Sequence, residues 1–283
     1  MEQKTIYASD ISEAVESLCV SAAFDLPEDV QASLERARQR EASELGRWAL
    51  DKIAANTTIA HEERMPLCQD TGLVLVFVEL GQDVRIVDGR LDDAIQKGVA
   101  KAYKDAYLRK SLVDEPLFER VNTQDNTPAI IHYRVVAGNE LKITLMPKGG
   151  GSENMSALAM LKPAQGIEAV KDFVYNTVVN AGGNPCPPTI VGVGIGGNSE
   201  YALELSKIAL ARPAGQSNPN EAYAELEKEL LERINASGIG PQGFGGTTTA
   251  LAVHIEYFPT HIAMLPVGVS LNCHVARHKQ VVL

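Results

Sequence analysis

Cys68, Cys186 and Cys273 stand far apart in the chain, each in a loop punctuated by glycine or proline. Their settings are Met65-Pro-Leu-Cys-Gln-Asp-Thr-Gly72, Asn184-Pro-Cys-Pro-Pro188 and Leu271-Asn-Cys-His-Val-Ala-Arg277. Three thiolates can hold three corners of a cubane iron–sulfur cluster and leave its fourth iron without a protein ligand. Such an iron is a Lewis acid, able to bind a carboxylate or a hydroxyl. The spacing disfavours the neighbouring chemistries. No CxxC pair occurs, as a zinc ribbon or a thioredoxin-type dithiol would need. Four dispersed cysteines in 283 residues do not read as a disulfide framework. Local sequence cannot build this site, so the fold has to bring three loops together. The fourth cysteine, Cys19, falls on an apolar helical face and reads as a small buried hydrophobe.

Other residues could serve such a centre. Asp70 follows Cys68 by two positions, within reach of any ligand on a cluster held there. Its carboxylate could accept or relay a proton, or it is simply the turn residue before Thr71-Gly72. Arg109, at the end of an expected helix, could clamp a carboxylate through two parallel hydrogen bonds, or merely oppose the helix dipole. In Lys148-Gly-Gly-Gly-Ser152 the lysine precedes the glycines, unlike a phosphate-binding P-loop. The N–H groups of a glycine run can still hold a carboxylate, and a helix starting at Glu153 would add to that pull; the alternative is a plain hinge. His261 stands alone ahead of a strand, where a histidine is commonly structural.

Two motifs point elsewhere and fail. Gly192-Val-Gly-Ile-Gly-Gly197 matches GxGxxG between a strand and a helix, but no second strand ending in Asp or Glu follows. A tight strand-to-helix turn beside Cys186 is the better reading than a dinucleotide site. His61-Glu-Glu-Arg-Met65 begins like HExxH and lacks the second histidine, which leaves His61 as a polar loop residue.

The elements that must position these residues form an α/β pattern. Residues up to about 65 pattern as helices. Asp10 is the expected cap of the first, with Ile11, Val15, Leu18, Cys19 and Ala22 on one face. Segments near 27–38 and 41–55 follow, the second with Trp48 as a core anchor. Leu73–Leu80 is a continuous apolar strand directly after the Cys68 loop. A helix near 91–108 comes next. Ala129–Val136 and Leu141–Met146 read as a hairpin around Ala137-Gly-Asn-Glu140. Further helices are expected after Asn154 and near 166–180, 199–211 and 221–235. Strands are expected at Thr189–Ile195 and near 248–258 and 261–270. The expected fold is mixed α/β, a helical N-terminal segment followed by mixed β-sheets flanked by helices, as a single domain over 1–283.

Composition narrows the classes of partner. Hydrophobic residues make up 45% and charged residues 22%, as in ordinary globular enzymes. A net charge of −10 argues against nucleic acid and anionic membrane surfaces, although a local Arg/Lys cluster could still take a small anion. No apolar run approaches the roughly 20 residues of a membrane span. Met1-Glu-Gln-Lys-Thr-Ile-Tyr7 has no signal-like core, so the expected address is cytoplasmic, or an organelle matrix after processing.

Cys68-Gln-Asp-Thr-Gly72, Lys148-Gly-Gly-Gly-Ser-Glu-Asn154, Pro185-Cys-Pro-Pro188 with Gly192–Gly197, and Asn272-Cys273 together resemble the iron–sulfur hydro-lyase family of class I fumarases and L-tartrate dehydratases. The resemblance runs in order from about residue 10 to the C-terminus. It is closest to the α subunit of two-subunit members, which is equivalent to the N-terminal domain of the fused ones. It implies a [4Fe–4S] cluster on Cys68, Cys186 and Cys273 with one labile iron not ligated by protein. It also implies substrate contacts at Gln69, Asp70, Arg109 and the Gly150 backbone, and places Asp70 and His261 in catalysis. The activity implied is reversible hydration of fumarate to L-malate, with dehydration of L-tartrate as the alternative. A non-catalytic iron–sulfur sensor is the rival from another class, against which Arg109 and the glycine loop argue. Fused members carry a C-terminal domain with further Arg/Lys residues and a hydroxyl base. Nothing follows Leu283 here, so a separate β subunit is expected to complete the site within a higher hetero-oligomer.

Overall fold

The structure, a computed structural model, describes residues 3–283. In chain order the elements are β1 (Lys4–Tyr7), α1 (Ala8–Phe24), α2 (Glu28–Arg40), α3 (Glu44–Glu62), β2 (Leu73–Gly81), β3 (Val84–Val87), α4 (Leu91–Asp105), β4 (Ile130–Val136) and β5 (Leu141–Lys148). They continue with the single turn α5 (Gly150–Glu153), then β6 (Ala157–Leu161), α6 (Gly166–Ala181), β7 (Thr189–Gly197), α7 (Ser199–Leu210), α8 (Glu221–Asn235), β8 (Ala250–Thr260), β9 (Leu265–Asn272) and β10 (Lys279–Val282). This is the expected mixed α/β class with helices first. Among the described residues no helix is long and apolar enough to cross a membrane. The chain forms two compact units. One holds the residues through Pro27 with Ile59–Gly150 and Arg277–Leu283, and the other holds Glu28–Thr58 with Gly151–Ala276.

In the first unit a four-stranded sheet runs in the order β10-β5-β2-β4, beside the parallel pair β1-β3. Val74, Val76 and Val78 of β2 are buried, as a continuous apolar run on a central strand should be. Ile11, Val15, Leu18, Cys19 and Ala22 of α1 form one core with Ile95, Val99 and Ala102 of α4 and the inner residues of β2 and β5. Burial pushes the Cys19 thiol well up, keeping it neutral. The expected β4–β5 hairpin does not form. β2 lies between the two strands, parallel to β4 and antiparallel to β5, because its apolar run takes a partner on each edge. The 137–140 link crosses the end of β2, where Gly81 N–H bonds Glu140 O and Asp83 N–H bonds Gly138 O. Asp10 lies inside the first turn of α1, whose cap position is Tyr7. His61 belongs to the last turn of α3, with Nδ1 2.7 Å from Asp25 Oδ1.

In the second unit the sheet order is β6-β9-β7-β8, with β7 parallel to β8 and antiparallel to β9. α6 and α8 contribute Val170, Val174, Leu226 and Leu230 to a core with β7, β8 and β9. α7 lies directly on β7. A Cβ on Gly192 would stand 2.1 Å from Ser206 O, and one on Gly194 2.0 Å from Ala202 O. Gly192 and Gly194 therefore make room for a helix, and Gly196 and Gly197, at φ +97° and +67°, make the expected strand-to-helix turn, which lies at the opposite end of β7 from Cys186 and not beside it, because the nine-residue strand separates the two. Gly194→Ala is expected to cost about 3 kcal/mol or more, read as a fall in the denaturant midpoint or as loss of soluble chain.

Two expectations fail here. No helix follows Asn154. Helical backbone ends at Glu153, and Ala157–Leu161 becomes β6 because the open edge of β9 offers it a ladder, which overrides its helix-favouring residues. Trp48 is not a core anchor but 52% exposed, whereas Ala49, Leu50 and Ile53 are buried. At about 100° per residue it points roughly 140° away from Ile53.

Glu41 fixes the 245–247 segment in this unit. It is 1% exposed and accepts hydrogen bonds from the N–H groups of Ser43 and Thr247, each at 2.9 Å. Burial pushes its carboxyl up, but these donors and the threonine hydroxyls outweigh that and hold it below the usual carboxylate range. A lowered acid contributes stability above its unfolded value and loses it as pH falls through the folded one. Glu41→Gln is therefore expected to cost about 1–3 kcal/mol at neutral pH. The difference should shrink below about pH 4, as measured by unfolding midpoints across pH.

Candidate active site

The register Leu73↔Lys148 brings the start of β2 beside the end of β5, so the residues just before one strand meet those just after the other. Asp70 Oδ2 accepts the N–H of Gly150 at 2.9 Å, and Oδ1 accepts that of Gly72 at 3.0 Å. Gly72 sits at φ +80°, and a Cβ there would stand 2.8 Å from the Lys148 backbone, so only glycine closes this turn. Of the Gly150 backbone that the resemblance gives to substrate, the N–H is here occupied by Asp70.

Further groups lock the turn. Thr71 Oγ1 donates to the Arg109 carbonyl at 2.9 Å, which ties the Arg109 backbone to the Cys68 loop. Tyr103 Oη, buried, donates toward the carbonyls of Thr71 at 2.7 Å and Gly72 at 3.0 Å. Burial pushes its phenol up, so it stays protonated and remains a donor. Asn126 Nδ2 donates to the same Gly72 carbonyl at 3.0 Å, and its Oδ1 accepts from Ser111 N–H at 2.7 Å. Arg277 Nη2 donates to the Asp70 carbonyl at 3.1 Å.

Arg109 is exposed and stands beyond the end of α4 at Asp105. It lies three positions past the α4 cap residue Ala106, and among the described residues its guanidinium makes no ion pair. Cys68 is half-buried with Sγ 3.7 Å from Gln69 Oε1, and Gln69 is exposed. One unit thus gathers Cys68, Gln69, Asp70, Arg109 and Gly150 around one turn. Tight backbone support of this kind fixes side-chain direction.

The other two cysteines meet in the second unit for a similar reason. Cys186 lies just before β7 and Cys273 just after β9, and the antiparallel register Ile190↔Asn272 sets those two ends together. His274 N–H bonds the Cys186 carbonyl at 3.2 Å, and His274 Nδ1 lies 3.0 Å from the same oxygen. Gln242 donates its main-chain N–H and Nε2 to Pro187 O, both at 2.8 Å, and places Nε2 3.0 Å from His274 Nδ1. Cys186 has φ +54°, an uncommon backbone state for a non-glycine residue, held by its N–H bond to Gly183 O. Its side chain is exposed and Cys273 is half-buried.

His261 does not join them. It sits in the exposed turn after β8, beside the Gly197 end of β7, where Thr260 Oγ1 bonds Gly197 O at 2.8 Å. Cys186 precedes the opposite end of β7, so the nine residues of that strand put roughly 25–30 Å between them. The histidine at the cysteines is His274, which the Asn272-Cys-His motif carried in plain view. Tyr103, Asn126 and Gln242 had no local signal, because each acts through a backbone carbonyl far along the chain.

None of the three loop cysteines is in a disulfide. Among the described residues no group of three or more His, Cys, Asp or Glu side chains is placed to hold a single metal ion. A cubane asks for something else, one thiolate for each of three irons, and its ligands stand farther apart than those of one ion. Each of the three loops offers an accessible soft donor on a braced backbone, the chemistry that such a ligand needs.

The chain matches the family described as Fumarate hydratase (Fumerase) over residues 12–282. The putative L(+)-tartrate dehydratase subunit alpha of Methanocaldococcus jannaschii is 46% identical over 267 residues, covering 93% of this chain and 94% of the relative. The L(+)-tartrate dehydratase subunit alpha of Escherichia coli is 33% identical over 267 residues, covering 93% and 87%. That of Shigella sonnei is similar to the same degree.

Proposed function

Because this chain belongs to the fumarate hydratase (Fumerase) family, a family of hydro-lyases, we propose that it is the α subunit of an enzyme that reversibly adds water across fumarate to give L-malate. The observation that supports this most is the Cys68 turn. It presents a carboxylate braced by two main-chain donors, two residues from an accessible thiol, with the Arg109 backbone tied to the same turn.

Cys68, Cys186 and Cys273 would hold a [4Fe–4S] cluster, whose unligated iron supplies Lewis acidity toward the substrate hydroxyl and carboxylate when bound. Arg109 binds a substrate carboxylate through paired donors and fixes its register. Gln69 offers an exposed amide next to Cys68. Gly150 gives its N–H to Asp70 and so holds that carboxylate toward the arriving substrate. Asp70 takes or returns the proton at the carbon next to the one that bears the hydroxyl, through a hydroxyl of the partner subunit. His261 cannot reach Cys186 or Cys273 of its own chain, so any proton shuttling by it belongs to a centre on a second copy. The relatives are named as alpha subunits. A β subunit that completes the site within a higher hetero-oligomer is part of the proposal, as is a cytoplasmic address.

L-tartrate dehydration to oxaloacetate and water is the second reading, favoured by the names of relatives at 46% and 33% identity. Anaerobic assays of the chain co-expressed with its β subunit, using fumarate, L-malate and L(+)-tartrate, decide between them. Faster turnover of fumarate and L-malate supports the first reading, and turnover of L(+)-tartrate alone replaces it with the second. Normal fumarate hydration by the chain without its partner would remove the β subunit from the account.

A further inference from the structure

Arg277 is 2% exposed and is among the largest fully buried side chains of the described residues. One of its nitrogens is used, Nη2 on the Asp70 carbonyl. Nε and Nη1 are buried with no hydrogen-bond partner, and no carboxylate among the described residues pairs with it. The fold treats another largely shielded arginine differently, since Arg212, its side chain 10% exposed, forms ion pairs with Glu227 and Glu256. A buried guanidinium without a counter-charge is costly, and its persistence calls for an anion that the polypeptide does not supply. The segment it holds is the one that carries Cys68, two residues before Asp70.

We infer that Arg277 is the charge-compensating residue of the cluster site on its Cys68 side, a positioning residue that does not touch substrate. This rests on the cluster reading given above. With a cluster bound, the thiolate charges outweigh the positive charge of the cubane core, and a buried fixed cation offsets the difference. One nitrogen meanwhile keeps the Asp70 peptide in place. Outer groups of this kind tune both the retention and the reduction potential of an iron–sulfur centre.

The two duties of Arg277 separate experimentally. Arg277→Gln and Arg277→Lys are made in the full chain, reconstituted anaerobically with iron and sulfide, and compared with wild type in cluster-free and cluster-loaded forms. Arg277→Gln is expected to melt no lower than wild type when cluster-free, because it removes an uncompensated buried charge. When loaded, it should lose iron to a chelator roughly 10- to 100-fold more readily and show a lower reduction potential. Arg277→Lys, which keeps the charge, should stay near wild type in potential. Equal destabilisation of both forms by Arg277→Gln, or failure of that variant to fold without cluster, would make Arg277 a structural anchor only and overturn the inference. So would a loaded Arg277→Gln with wild-type potential and iron retention. A wild-type chain that takes up no cluster, alone or with its partner, would instead contradict the cluster reading itself, and this inference would fall with it.

Discussion

Asp70→Asn is expected to lower kcat by about 10²- to 10⁴-fold while leaving the visible absorption of the cluster in place. The carboxylate is not a ligand in this account, so its loss should spare metal binding. Both of its oxygens accept main-chain N–H groups, from Gly72 and from Gly150. An amide keeps one of those acceptors and sets a donor against the other N–H, so the turn must adjust as the proton-transferring group disappears. The comparison of kcat with KM separates the two consequences. A change confined to KM would mean that Asp70 only holds the glycine loop in place. Near-normal kcat would take it out of the mechanism. Asp70→Glu should not rescue, because the extra methylene cannot fit between two donors fixed by the β2–β5 register.

Cys186→Ser is expected to abolish both cluster and turnover while the chain stays folded. The backbone at this position is set by the bond of its N–H to Gly183 O, the bonds of its carbonyl to His274 and the following prolines. Serine can follow the same path, but its hydroxyl is a hard and weakly acidic donor for iron. Circular dichroism should be unchanged, with iron and sulfide content near zero after reconstitution. Cys19→Ser is the matching control. Cys19 is 1% exposed in the core of α1 and α4, so the change should lower stability and leave the cluster untouched. Full iron content in Cys186→Ser would remove Cys186 from the ligand set.

The sequence was most legible where a local rule carried the whole demand. The apolar face of α1, the buried run of β2 and the strand-to-helix turn at Gly192–Gly197 all follow from periodicity and glycine placement. The loops of Cys68, Cys186 and Cys273 announced themselves by residue type. What stayed hidden depends on which strands pair. The register Leu73↔Lys148 makes Asp70 and Gly150 neighbours, and Ile190↔Asn272 does the same for the Cys186 and Cys273 loops. The hairpin expected between β4 and β5 failed because an equally apolar strand competed for both edges. The helix expected after Asn154 failed because β9 offered an open edge to residues that otherwise favour a helix. His261 illustrates the same limit, since twelve positions of sequence separation from Cys273 say nothing about which end of a sheet a residue occupies. The buried supports, Tyr103 and Asn126, were invisible because they act on carbonyls, which every residue has.

The central claim is that this chain builds a cubane with one iron free of protein ligands. Its most direct test is electron paramagnetic resonance on the chain prepared anaerobically with its partner, reconstituted with iron and sulfide and then mildly oxidised. The account predicts the signal of a three-iron cluster, lost again when ferrous iron is restored. A preparation that gives no cluster signal, or a cluster that keeps all its iron under the same oxidation, would contradict it.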